Sequence, residues 1–202
     1  METSEEPGRR EQNRLRTHNA LVAAANRLFQ EQGYEATTVR DIATAAGVGE
    51  RTFFRYFPSK ENLVLQQVRD LIPLLAAEIR RRPTAEPPLV ALREALLALA
   101  ARQDTSPAVL LAGPRPFTPE PISRGDRFLL FDLEETVAAA FLERAGITEP
   151  GLREELRAAT LSRAGVGALR TVRLAHARLS DAERAEADPS EMVRIAFAAL
   201  GA

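Results

Sequence analysis

Residues 33–63 read GYEATTVRDIATAAGVGERTFFRYFPSKENL, and a run of helix starts and stops lies inside them. Gly33 follows an apolar stripe at helical spacing, Leu21, Val22, Ala25, Leu28 and Phe29, and suits the left-handed position beyond a helix end. Thr38 can cap a second helix, with Asp41 three residues on as in a capping box and Val39, Ile42, Ala43 and Ala46 as the inner face. Gly47 ends that helix in a tight turn, and a third helix follows through residues 50–56 until Pro58 breaks the chain. Ser59 is an N-cap for a fourth helix, through Leu63, Val64, Gln67, Val68 and Leu71, with a kink or restart expected at Pro73. A longer helix followed by two short ones around a glycine-centred turn is a helix-turn-helix. Its last helix exposes Glu50, Arg51, Arg55 and Tyr56, while Val48, Phe53 and Phe57 are apolar anchors. That is a way to hold a small polar helix rigidly in a DNA major groove; a helical hairpin inside a bundle is the competing reading.

Outward from this motif, apolar residues keep helical spacing and no alternating run argues for a strand, so the fold class is all-α. Helices are expected over residues 89–102, 126–144, 151–178 and 190–200. Five prolines between residues 105 and 125 exclude one regular helix there and suggest short turns around residues 108–111. The chain of 202 residues, 45% hydrophobic, can bury one or two modest cores. We expect a flexible basic arm over 1–14, a head over 15–62 and a larger body over 63–202. The net charge of −1 hides a bias: from Arg9 to Lys60 there are nine bases against five acids. A basic head suits phosphate binding, although surpluses of this size also occur on neutral surfaces.

With no cysteine and two isolated histidines, His18 and His176, no disulfide, metal site or cofactor is expected. A polar start (METSEEPGRR) and the lack of a long uncharged apolar run predict no secretory signal, no membrane span and a cytoplasmic protein. The acidic set Asp132, Glu134 and Glu135 is the one cluster that invites an enzymatic reading. Helical spacing scatters it over an exposed face with no accompanying histidine or serine motif, so an enzyme is not expected.

The stretch from Gly33 to Leu63 closely resembles the DNA-binding head of the TetR family of regulators. The resemblance covers residues 15–65 and is carried by Leu28-Phe29, Gly33-Tyr34, Thr38, Ile42-Ala43, Gly47-Val48, Thr52, Tyr56-Phe57 and Lys60-Glu61 in register. The rest of the chain is similar in length and helical character, with a faint likeness to members whose body binds acyl-CoA-type ligands. The resemblance implies that Thr38 sets the start of the second helix against a phosphate, with Arg40 adding charge. The third helix would enter the major groove, Arg51 and Arg55 meeting guanine or phosphate and Glu50 accepting from a cytosine amine. Thr52 would be mainly structural, Tyr56 a phosphate donor, and Lys60 a clamp on the DNA backbone. Gly49 stands where many relatives have serine, which removes a cap, and Phe54 where many have tyrosine, so Phe54 either touches a thymine methyl or packs inside. Arg9 to Arg16 would contact phosphates or the minor groove, or form a solvated arm.

By the same resemblance the body pairs its last two helices with those of a second subunit. Val193, Phe197, Leu200 and Gly165 are the interface candidates, burial within one subunit being the alternative. The ligand pocket would lie between the middle helices, with Leu92, Leu96, Leu99, Phe117, Phe128, Phe131 and Leu169 as candidates that plain core packing explains equally. Arg115, Arg124 and Arg127 nearby suit an anionic ligand. The expected partners are therefore double-stranded DNA carrying a palindromic operator, a second copy of the chain, and a small, largely apolar effector with or without an anionic group that releases the repressor. The alternative is a constitutive or architectural DNA-binding protein without effector.

Overall fold

The computed structural model describes residues 8–34, 36–101 and 124–202. Among them are nine helices: α1 (Arg9–Gln32), α2 (Val39–Ala45), α3 (Glu50–Tyr56), α4 (Lys60–Arg81), α5 (Pro88–Ala100), α6 (Arg124–Arg144), α7 (Leu152–Arg178), α8 (Asp181–Glu186) and α9 (Pro189–Ala198). No strand occurs among the described residues. The chain divides into two compact units, residues 1–64 and 65–202.

The first unit is built around Phe53. With Leu21, Ala25 and Phe29 of α1, Ile42 and Ala43 of α2, Phe57, and Leu63 and Val64 of α4, this side chain forms one buried cluster. At seven residues each, α2 and α3 are too short to persist alone. Packing on Phe53 holds α3, and the ends of α2 are fixed by hydrogen bonds. Thr38 Oγ1 accepts from the Asp41 amide at 3.1 Å, and the Asp41 carboxylate accepts from the Thr38 amide at 2.9 Å, the reciprocal box expected from the sequence. At the other end of α2, Gly47 adopts φ +71°; its amide donates to Thr44 O and that of Val48 to Ala43 O, which satisfies two terminal carbonyls. Residues 9–14, expected in a flexible arm, are instead the first turns of α1, and Arg14 there pairs with Glu11 at 2.7 Å.

In the second unit α7 is the central helix, packed against α5, α6 and α9. Small residues permit this. A Cβ built on Gly165 would stand 2.4 Å from Leu92 Cδ2, so only hydrogen fits where α5 crosses α7. Fully buried Ser162 donates to the Glu134 carbonyl at 2.5 Å and stitches α7 to α6. Arg144, at the end of α6, donates to the Pro83 and Glu86 carbonyls, each at 2.7 Å, and fastens the α4–α5 connection. Pro73 neither breaks nor restarts α4. Pro73 and Arg69, whose carbonyl loses its donor, are both exposed, so water can serve that carbonyl.

Three interface expectations need correction. Gly165, Val193 and Phe197 are buried within their own chain, Phe197 completely, because α9 lays Val193 and Phe197 on α5 and α7. The 3.6-residue spacing locates an apolar face but does not say whether the same chain or another covers it. Leu200 is 41% exposed and Ile195, which the spacing rule passed over, 63%. The short helix α8 was also missed; Ser180 and Glu183 open it with a second capping box. The turns expected at residues 108–111 lie outside the described residues.

Candidate nucleic-acid interface

The α3 helix is anchored through Phe53 and Phe57, which leaves its other side free. Glu50, Arg51, Phe54 and Arg55 are exposed, and Thr52 and Tyr56 half-buried. Among the described residues no carboxylate pairs with Arg40, Arg51 or Arg55, so these guanidinium groups remain open to another acceptor. The Arg55 guanidinium lies 5.3 Å from the Tyr56 ring centroid, which orients it by cation–π attraction. Phe54 is 52% exposed and meets Phe53 edge-on at 5.6 Å, so of its two readings packing inside is excluded. Gly49 begins α3 with no side-chain cap, as its missing side chain requires.

Beside this face, the exposed Thr38 and Arg40 lie at the start of α2. The Thr38 hydroxyl and amide hold the Asp41 carboxyl below its ordinary value, so the capping charge is present at neutral pH. The Lys60 ammonium donates to two main-chain carbonyls, Tyr34 O at 2.7 Å and Thr37 O at 2.8 Å, and sits 4.0 Å above the Tyr34 ring.

Within the second unit, an apolar cavity of about 50 Å³ lies among α4, α5, α6 and α7. Leu96, Leu99 and Leu169, three of the pocket candidates, line it. Leu92 packs in the core beside Gly165 and Phe131 is exposed, so neither lines this cavity. Phe117 and Arg115 lie outside the described residues, as do the side chains of Phe128, Arg124 and Arg127. The sequence reading missed the α4 wall, Val68, Leu71, Ile72 and Leu75, and also Leu133 and Arg173. Their signal was present: 68, 71, 72 and 75 fall at i, i+3, i+4 and i+7, one face of a helix. Among the described residues Arg173 is the one charged side chain in the lining. Among the described residues no group of histidine, cysteine or acidic side chains is placed to hold a metal, and no helix is long and apolar enough to cross a membrane.

The family model described as "Bacterial regulatory proteins, tetR family" matches residues 21–66, which include α2, α3 and the first turn of α4. The HTH-type transcriptional repressor LfrR of Mycolicibacterium smegmatis is 30% identical over 138 residues, 68% of this chain and 69% of that protein. The chain belongs to the TetR family of bacterial regulatory proteins. Another TetR-type relative, the HTH-type transcriptional regulator TcmR of Streptomyces glaucescens, is 42% identical over 96 residues, 48% of this chain but only 42% of its own length. The family fold extends through the body: the structure of Thermus thermophilus FadR, a TetR-family repressor in complex with lauroyl-CoA, superposes with a TM-score of 0.52 at 24% identity, covering 90% of this chain and 91% of that one.

Proposed function

We propose that this TetR-family protein is a transcription repressor that binds an inverted-repeat operator as a dimer and leaves it when a small molecule occupies the body. The carrying observation is the α3 face: two guanidinium groups and an aromatic ring, unneutralised, on a helix fixed by two buried phenylalanines. Arg51 and Arg55 reach guanine edges or phosphates, Glu50 accepts from a cytosine amine, and Phe54, having no hydroxyl, contacts a thymine methyl. Thr38, Arg40 and Tyr56 hold the flanking phosphates, while Gly49 and Thr52 shape the start of α3. A two-fold dimer places two such helices about one turn of DNA, ~34–36 Å, apart. Its contact surface uses the apolar side chains left exposed on α7, on α9 and just beyond it: Leu152, Leu156, Ile195 and Leu200.

The effector is small and largely apolar, because the cavity between the middle helices is walled by leucine, isoleucine and valine, and Arg173 suits an anionic group on it. At about 50 Å³ the cavity is well below the roughly 300–1,000 Å³ of ordinary ligand sites, so occupancy requires widening. Four lining residues lie on α4, whose first turn packs in the DNA-binding unit, which makes α4 the element displaced. A ligand acts only through unequal affinity for two states, and a coupling of about 1–3 kcal/mol weakens DNA binding roughly 5–150-fold.

The test is fluorescence anisotropy at fixed salt on a duplex selected from a random pool, with lauroyl-CoA and shorter acyl-CoAs as probes. Specific binding, with release by a probe and an equal reciprocal weakening of that probe by DNA, is expected. A probe series that binds the body without moving DNA affinity favours a constitutive regulator. Equal affinity for the selected and scrambled duplexes favours an architectural protein.

A further inference from the structure

Of the two histidines in the sequence, His18 lies in the DNA-binding unit, on α1 and against the end of α3. Its half-buried ring packs on Phe57 at 5.1 Å and on Tyr56 at 6.4 Å between centroids. Phe57 meets Phe53 at 5.7 Å and Phe53 meets Phe54 at 5.6 Å, so His18 is the α1 member of a row of rings that runs from Phe54 to Tyr56. Nδ1 of His18 is 3.4 Å from Asn19 Oδ1, an acceptor, so this nitrogen carries the proton. Nε2 has no hydrogen-bond partner among the described residues and is open to solvent, as is the Tyr56 hydroxyl. Two guanidinium groups share the neighbourhood. Arg55 lies 5.3 Å from the Tyr56 ring centroid. Arg14, one turn before His18 on α1, is raised chiefly by its bond to Glu11 and in smaller part by the Tyr56 phenol, which places its charge near that ring. The charged or titratable groups around His18 are thus Arg14 and its partner Glu11 from α1, and Arg55 and Tyr56 from α3: two cations against one carboxylate. An open hydroxyl, an open ring nitrogen and a surplus of positive charge together suit a phosphate.

We infer that His18 is a further DNA-binding residue: its Nε2, beside the Tyr56 hydroxyl, binds a phosphate of the DNA backbone, and the imidazole takes up a proton as it does so. The proton goes to Nε2, because the Nδ1 proton is directed at Asn19, and a neutral Nε2 offers only a lone pair to an anion that can only accept. The complex therefore binds more protons than the free protein, and affinity rises as pH falls. The contact ties α1 and α3 to one phosphate, so it anchors the recognition helix without reading sequence. The inference rests on the DNA-binding reading above, but a backbone contact forms on any duplex, so it is judged apart from operator specificity.

Fluorescence anisotropy of the full-length protein on a selected duplex, over a salt series at about pH 7.5 and about pH 5.5, brackets the ordinary imidazole range. Wild-type affinity should rise roughly tenfold toward the lower pH, with a salt slope steeper by about 0.9 for each subunit. His18→Phe keeps a ring against Phe57 and Tyr56 without the nitrogens, and should lose both changes. His18→Arg carries its charge at either pH, and should bind at the higher pH as tightly as the wild type does at the lower. His176→Gln, in the other unit, should keep both changes. The imidazole ¹⁵N spectrum holds two rings, and in it His18 Nε2 should move from the unprotonated to the protonated position when duplex is added at neutral pH. A pH response that survives in His18→Phe, or an Nε2 still unprotonated in the complex at the lower pH, overturns the inference. Should His18→Phe fail to fold, His18→Arg and the spectrum decide. If the wild-type protein prefers the selected duplex no more than a scrambled one, the repressor reading fails, and the same pH and salt comparison on the scrambled duplex still tests the phosphate contact.

Discussion

In the residue 1–64 unit, two helices of seven residues stand because a capping box opens α2 and buried phenylalanines anchor α3, whereas in the other unit a 27-residue helix stands because glycine, serine and alanine let three neighbours approach it. The first design gathers its apolar side chains around Phe53 and leaves Arg51, Arg55 and the exposed Phe54 outside that buried cluster. The second draws Leu89, Leu92, Leu96 and Leu99 of α5 and Leu169 and Val172 of α7 into one core, with a cavity of about 50 Å³ beside them. Side chains that packing does not consume are the ones available for recognition, so DNA reading is assigned to the first unit with more detail than sensing is to the second.

The contrast is broken most severely through the body core. Phe197→Ala should destabilise by about 3–5 kcal/mol, because a fully buried aromatic leaves a cavity among α5, α7 and α9. Thermal denaturation checks it. Ile195→Asp, on the same helix but exposed, should keep the melting midpoint and lower the dimer fraction in sedimentation; the reverse pattern would return the interface to Phe197. Gly165→Leu comes next, at about 1–3 kcal/mol, since the first added carbon already meets Leu92.

In the head the expected losses are smaller. Thr38→Ala removes one half of the capping box and should cost about 1 kcal/mol, read by chemical denaturation. Its companion effect is on pH. Asp41 has a depressed folded value, so its contribution is present above the ordinary carboxylate range and lost as pH falls through the folded value; an NMR titration should find Asp41 closer to normal in Thr38→Ala. In the body His176 costs stability in the same direction of pH, although there the neutral form is the favoured one. Burial and then the Arg184 charge lower it, so the fold favours neutral imidazole, and the body loses stability as pH falls through the ordinary value of 6.5. His176→Gln should flatten the fall in melting midpoint between pH 7 and 5, by the least of these effects.

The same division explains what could be read from the sequence. Thr38-Asp41 and Gly47 are local signals, each satisfied within a few residues, and the structure has the capping box and turn they imply. The bonds from Lys60 to Tyr34 O and Thr37 O were not legible, because the two acceptors lie 26 and 23 residues away and no local pattern announces them. Val193 and Phe197 show the limit in the body: their spacing identifies a buried face, but Gly165 against Leu92, a tertiary fit, determines what buries it. Arg173 escaped for a similar reason, as one arginine among several on a long helix until the fold puts it beside the leucines.

The central claim is that the α3 face reads sequence. It is tested most directly by measuring, at one fixed salt concentration, the affinity of the wild-type protein and of Arg51→Ala for a duplex selected from a random pool and for the same duplex with its half-sites scrambled. The account predicts an inverted repeat in the selected DNA, a wild-type preference of at least about 10³-fold over the scrambled duplex, and a loss of about 1–3 kcal/mol of that preference in Arg51→Ala, with scrambled binding nearly kept. Equal affinity of the wild-type protein for both duplexes, or an Arg51→Ala variant that discriminates as well as the wild type, would contradict it.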